Sequence, residues 1–212
     1  MERYVLTEQE TATLVTRCRE ERTTVGGALF AAGVCGLADA APAEKLRFRC
    51  RLPVNIRYAM TGPAGPVTSQ DIGCFISRFE KIYEVSRPPS FWELGRLVWR
   101  DMETYVTSGG PQLFYNLAGK IRIVKMRMLP KRDTLMINYF GVARIRASHG
   151  NLRLEEFITL ARSDRLGPSL NVWAVTINGR LCVWVGGADV TAEQWSVFKD
   201  SVMDRLRRVA AT

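Results

Sequence analysis

The chain has one histidine and five cysteines, so the side chains able to act as base or nucleophile can be taken one at a time. His149 stands in Ala147-Ser148-His149-Gly150-Asn151, a tight-turn sequence between two strand-like runs. An imidazole titrates near neutral pH and is the commonest general base, but it needs a partner to orient its ring. No Asp or Glu stands beside it in this run, so a solvated turn residue is the better reading than a base. Cys18, Cys35, Cys50, Cys74 and Cys182 are widely spaced, with no C-x-x-C pair and no His-rich segment. That pattern argues against a zinc site or a disulfide framework and for a reducing cytosol. Cys74 and Cys182 fall in expected strands, where a thiol without a histidine is an inert small hydrophobe.

Charge supplies the next candidates. Lys120, Arg122, Lys125, Arg127, Lys131 and Arg132 form the densest basic run, interleaved with Ile121, Ile123, Val124, Met126 and Met128. A helix bearing them either presents its cations to an anionic partner or is a solvated helix covering a core edge with its apolar side. The formal net charge of +9 suits encounters with anions without specifying one. Nucleic acid is not expected, because no glycine-rich phosphate loop, recognition motif or aromatic platform accompanies the charge.

The elements that would position these residues are read from periodicity. Thr7-Glu8-Gln9-Glu10 is a capping box opening a surface helix with Leu14, Val15 and Cys18 as its narrow apolar stripe. A second helix from Thr23 or Thr24 to about Leu37 is small and apolar nearly all round, the composition of a buried helix. Leu46 to Ile56 alternates as a strand with Arg47, Arg49 and Arg51 on its solvated face. Pro63-Ala64-Gly65-Pro66 makes a loop, and Gly73 to Val85 a further strand. Pro88-Pro89-Ser90 opens an amphipathic helix with Phe91, Leu94, Leu97, Val98 and Met102 inward, which Gly109-Gly110-Pro111 stops. Residues 112 to 128 read as helix again, then Thr134 to Ile145 as strand and Leu152 to Ala161 as another. Leu170 to Ile177 and Arg180 to Val185 meet across Asn178-Gly179, a strong hairpin signal. Thr191-Ala192-Glu193-Gln194 caps a last helix with Trp195, Phe198, Val202 and Leu206 on one face. All five tryptophans, Trp92, Trp99, Trp173, Trp184 and Trp195, read as packing residues. With 212 residues, 47% of them apolar, and no repeat or linker, residues 1–212 are expected to form one α/β domain, a mixed sheet covered by helices. No run approaches the roughly 18 apolar residues of a membrane span, and no signal peptide is visible, so a cytoplasmic protein is expected.

Three short runs carry a resemblance. Leu52-Pro53-Val54-Asn55-Ile56-Arg57 resembles the P-V-N-L-R strand end of the condensation-domain and alcohol O-acetyltransferase superfamily. Gly73-Cys74-Phe75-Ile76 resembles its G-N-F strand start, and Asn138-Tyr139-Phe140-Gly141 its S-N-x-G or D-F-G segment. Thr24, Val25, Leu29, Ala31 and Ala32 match its T-V-x-x-x-L-x-A-A helix. In that order they are similar to the C-terminal lobe of a two-lobed acyltransferase of chloramphenicol-acetyltransferase topology, a two-layer sandwich.

That resemblance implies acyl transfer from a coenzyme A or phosphopantetheine-carrier thioester to an alcohol or amine. It places Asn138 and Gly141 on the wall of the tunnel between lobes, although a bulge or turn in a plain sheet explains the glycine equally well. It makes Arg57 mainly a structural pairing that fixes a strand end, with Asn55 bonding its own backbone. Lys120, Lys125, Arg127, Lys131 and Arg132 become candidates for docking coenzyme A phosphates or an acidic acyl or peptidyl carrier protein. The H-H-x-x-x-D motif that carries the superfamily's base is not in this sequence, so no catalytic residue, metal ligand or permanently bound cofactor is assigned. The expectation is half of an enzyme, inactive alone and paired with a histidine-bearing N-terminal lobe or with itself. A non-catalytic module that docks an acidic carrier protein or other partner is the alternative. Either a short gene product or a piece of a longer protein fits.

Overall fold

The structure is a computed structural model, and it describes residues 1–41, 43–62, 65–68, 70–86, 89–118, 134–145, 148–155 and 169–211. In chain order the described elements are β1 (Glu2–Val5), α1 (Glu8–Glu20), α2 (Val25–Ala40), β2 (Lys45–Asn55), a 3-10 turn (Arg57–Ala59), β3 (Thr61–Gly62), β4 (Gly65–Pro66), β5 (Ile76–Ser86), α3 (Phe91–Thr107), α4 (Gly110–Ala118), β6 (Leu135–Val142), β7 (Ser148–His149), β8 (Leu152–Arg153), β9 (Leu170–Ile177), β10 (Arg180–Gly187) and α5 (Ala192–Ala211). Six strands form one mixed sheet in the order β1-β10-β9-β6-β2-β5. Its two parallel pairs are β2 with β6 and β6 with β9.

Helices cover one face of this sheet. α2 lies against it, buried continuously from Gly27 to Ala38, which is what a helix apolar on every side requires. Its glycines mark where neighbours come closest: a Cβ at Gly33 would stand 2.9 Å from the Ile137 side chain of β6, and one at Gly36 2.9 Å from the Phe198 carbonyl of α5. Thr23 fixes the other flank, its hydroxyl donating to the Gly95 carbonyl of α3 at 2.8 Å. Inward residues of β2, β6, β9 and β10 alternate into this layer, and Phe30 of α2 meets Tyr83 of β5 at 5.1 Å between ring centroids.

The opposite face is divided. On β2 and β5 it carries cross-strand ion pairs, Arg47 with Glu84 at 3.1 Å and Arg49 with Glu80. On β9 and β10 it is apolar, with Val175, Ile177, Cys182 and Trp184 buried together.

Both capping boxes form. Thr7 Oγ1 accepts the Glu10 N–H at 3.2 Å while Glu10 Oε2 accepts the Thr7 N–H at 2.7 Å. Thr191 and Gln194 reciprocate in the same way at 3.1 Å. The hairpin turns at Asn178 and Gly179, both at positive φ (49° and 75°).

One strand has no counterpart in the sequence reading, and four readings are corrected. Glu2–Val5 is an edge strand, a segment too short to show a period, held by antiparallel pairing to β10 and by the Leu6 N–H to Leu181 carbonyl bond at 2.9 Å. β5 begins at Ile76 rather than Gly73, which leaves Cys74 outside the strand and exposed. α4 starts at Gly110 instead of beyond Pro111, because a proline in the first turn lacks only an N–H that the helix does not use. Trp99 is 43% exposed and so is not a core packing residue. Of the strand expected over Leu152 to Ala161, Leu152–Arg153 pairs with β7, Leu154 and Glu155 do not continue it, and the rest lies outside the described residues.

Candidate functional site

The candidate site is built around β6 and the end of β2. β6 turns Leu135, Ile137 and Tyr139 toward α2, and Met136, Asn138 and Phe140 toward the opposite face, where Phe140 lies 5.9 Å from Trp173 between ring centroids. Asn138 is half-buried, in register with Trp173 of β9, and its carboxamide has no hydrogen-bond partner among the described residues. Pairing with β9 resumes at Val142, opposite Thr176, after a shift in which Phe140 and Gly141 face Val175 alone. This is a β-bulge, and Gly141 supplies its φ of +78°. Among the described residues nothing within 4 Å would meet a Cβ there, so backbone conformation, not packing against them, requires this glycine. From the bulge onward three large apolar side chains are exposed, with Arg144 between the last two: Phe140 is 44% exposed, Val142 64% and Ile145 49%.

At the β2 end, Arg57 does structural work. Its Nε donates to the Thr68 carbonyl at 3.2 Å, Nη2 donates to the Asp71 carbonyl at 3.1 Å, and the guanidinium lies 4.6 Å from the Phe75 ring centroid. The Asn55 side chain accepts the Arg57 N–H at 3.1 Å, the local bond expected of an Asx turn. Asp71 accepts the Thr68 N–H and hydroxyl at 2.6 and 2.8 Å, which holds its carboxyl below the ordinary value. The P-V-N-x-R run is therefore a loop clamp.

Between the two strands a slot opens. β2 and β6 run parallel, yet they pair only at Cys50–Leu135 and Arg51–Met136. Antiparallel pairing with β5 sends the backbone groups of alternate β2 residues toward β6, as the Arg49 carbonyl accepting the Thr134 N–H at 3.0 Å shows. Two residues after Arg51, the N–H that would continue the ladder belongs to Pro53, which has none. The strands part there. A cavity of about 150 Å³ lies at the divergence, with Leu52 and Pro53 on one side, Ile137 and Tyr139 on the other, the first turn of α2 behind and Trp99 and Met102 of α3 at its flank. The Tyr139 hydroxyl is 3.0 Å from Thr176 Oγ1, and burial raises its pKa.

The remaining candidates lie apart from this slot or outside the described residues. Burial pushes the Cys18 thiol up to about 12 and the Cys35 thiol up to about 11, and it raises Cys182 as well, so these are poor nucleophiles. His149 is in β7, paired with Leu152 across the turn at Gly150 and Asn151. The basic residues Lys120, Lys125, Arg127, Lys131 and Arg132 lie outside the described residues. Among the described residues no group of three His, Cys, Asp or Glu side chains is arranged to hold a metal. None of the described helices is by itself long and apolar enough to cross a membrane. Trp99 and Gly26 escaped sequence reasoning. Their signals were a tryptophan off the apolar stripe of α3 and a second glycine in the first turn of α2.

The profile of the family described as phthiocerol/phthiodiolone dimycocerosyl transferase C-terminus matches residues 1–185. This chain belongs to that family. No curated protein matches it in sequence. Among solved structures it is similar to polyketide synthase associated protein 5 from Mycobacterium tuberculosis, with a TM-score of 0.69 at 14% identity, covering 100% of this chain and 52% of that one. It is also similar to the trichothecene 15-O-acetyltransferase of Fusarium sporotrichioides (TM-score 0.73, 12% identity, 98% of this chain and 46% of that one). The first condensation domain of the CDA synthetase is a third (TM-score 0.62, 18% identity, 100% of this chain and 44% of that one). The fold is thus that of the condensation-domain and chloramphenicol-acetyltransferase-like acyltransferases, as the three sequence runs implied. This phthiocerol/phthiodiolone dimycocerosyl transferase C-terminus family member spans about half the length of those structures.

Proposed function

We propose that this chain supplies the C-terminal half of an acyl-transfer site, moving an acyl group from a coenzyme A or carrier-protein thioester to an alcohol or amine. The base comes from a separate histidine-bearing lobe seated against the bulged end of β6. The observation that carries this reading is the exposure of three large apolar side chains, Phe140, Val142 and Ile145, beside a carboxamide with no described partner, on a chain half as long as its structural relatives. In this arrangement the lobe does three things. It offers the Asn138 carboxamide as a hydrogen-bond donor or acceptor to the substrate, it puts no side chain at Gly141 in the way of a close approach, and it excludes water with the β6 surface.

The experiment is reconstitution. The chain is mixed with a candidate N-terminal lobe, and transfer from an acyl thioester to an alcohol or amine is followed by thiol release. Transfer is expected from the mixture alone, and Asn138→Ala should lower kcat/KM about tenfold, the size of one lost hydrogen bond to substrate. Binding of an acidic carrier protein without turnover in every pairing would sink this reading in favour of a non-catalytic docking module. Transfer by the isolated chain that His149→Ala abolishes would also refute it.

A further inference from the structure

The slot between β2 and β6 has properties that packing alone does not explain. It lies where two parallel neighbours part, between the last residues of β2 and the middle of β6. Its polar side chains are already committed: the Thr24 hydroxyl accepts the Gly27 N–H at 3.1 Å, and the Tyr139 hydroxyl is paired with Thr176. Among the described residues no charged one lines it. What remains is apolar surface from Leu52, Pro53, Ile137 and Met102, beside the half-exposed Trp99.

Gly26 is the telling residue. At Gly27 a Cβ would strike Thr23 Oγ1 at 2.2 Å and the Gly95 carbonyl at 2.9 Å, so packing demands that glycine. Among the described residues a Cβ at Gly26 would meet only Thr24 Oγ1 at 3.6 Å and the Tyr139 ring at 3.7 Å, ordinary contacts, and no positive φ requires it. A glycine that neither backbone nor described neighbours need, in a helix that alanine would stabilise, keeps the slot open.

We propose that this slot is a binding site for a hydrocarbon group, held open by Gly26 and flanked at its mouth by Trp99. Its size matches an apolar cavity of about 150 Å³ that is known to accept benzene, so it takes an aryl ring or about six carbons of an alkyl chain. That the hydrocarbon is the end of the transferred acyl group rests on the acyl-transfer reading above; the slot itself does not.

The test uses benzene and 1-hexanol as probes of the chain, followed by methyl NMR shifts at Ile137 and Met102. Saturable shifts are expected in the native protein and in Gly26→Ala. Folded Gly26→Leu, which fills the slot, should weaken both probes by at least about tenfold. If Gly26→Leu fails to fold, Trp99→Ala serves instead, and it should extend binding to longer alcohols. Absence of shifts in the native protein, or undiminished binding by folded Gly26→Leu, overturns the proposal. In the reconstituted mixture, an acyl-length preference unchanged by Gly26→Leu overturns the acyl assignment. Probe binding that obeys these rules while no lobe yields transfer supports the slot and refutes the acyl-transfer reading.

Discussion

Replacing Arg57 by alanine separates a clamp from a ligand contact. The side chain is half-buried and closes the segment between β2 and β5 by two guanidinium hydrogen bonds and one ring contact, leaving the Asn55 bond to its own N–H untouched by the change. A hydrogen bond to a charged group contributes about 1.5–3 kcal/mol when buried, and about half of that or less where water competes. The cation–π contact adds about 0.5 kcal/mol at an exposed site. The sum is about 2 kcal/mol, which lowers the urea midpoint by about 1 M for a slope of about 2 kcal/mol per molar. Lysine should recover less than half, since a single ammonium cannot fork to the Thr68 and Asp71 carbonyls together. Limited proteolysis between Tyr58 and Phe75 should quicken in parallel. An unchanged midpoint and unchanged proteolysis, combined with loss of acyl transfer in the reconstituted mixture, would refute the clamp and make Arg57 a ligand contact.

Three further outcomes are expected. Thr7→Ala should cost about 1 kcal/mol in urea unfolding, the usual value for a lost N-cap oxygen. The Thr7 N–H and hydroxyl hold the Glu10 carboxyl below its ordinary 4.5. The stability this gives is present above that value and lost as pH falls through the lower folded value, so Glu10→Gln should flatten the decline in urea midpoint between about pH 5 and 3. At Gly141 the lack of any described neighbour within 4 Å of a Cβ confines the effect of substitution to the backbone. Melting curves should show Gly141→Asn nearly as stable as the native protein and Gly141→Val less stable by about 2 kcal/mol; equal tolerance of both would contradict the bulge geometry.

Local chemistry made much of this fold readable. The Thr7 and Thr191 boxes, the Asn178-Gly179 turn and the apolar helix after Thr24 each specify their conformation within a few residues, and each formed. What depends on distant partners could not be read. Glu2–Val5 is a strand because β10 offers an edge, and Cys74 is exposed because β5 waits for register with Asn55 to begin. The same division holds at the site. Asn138 and Gly141 could be picked out by motif, with bulge and tunnel wall both open, and the geometry supplies the bulge. The slot could not be foreseen, since it exists only where Pro53 of β2 stands beside Ile137 and Tyr139 of β6, residues far apart in the chain.

The pairing of β1 with β10 joins nearly the two extremes of the described chain. The Thr11 hydroxyl accepting the Leu181 N–H at 2.9 Å ties α1 into the same seam. A growing polypeptide emerges at roughly 5–20 residues per second, so the first strand waits on the order of ten seconds or more for its partner. Until then the future edge of the sheet is an unmatched tail. Such long sequence separation slows folding, because loop closure must precede the contacts that reward it. The edge strand is thus the last stitch in the sheet, and nascent chains short of β10 are where chaperones would be most needed.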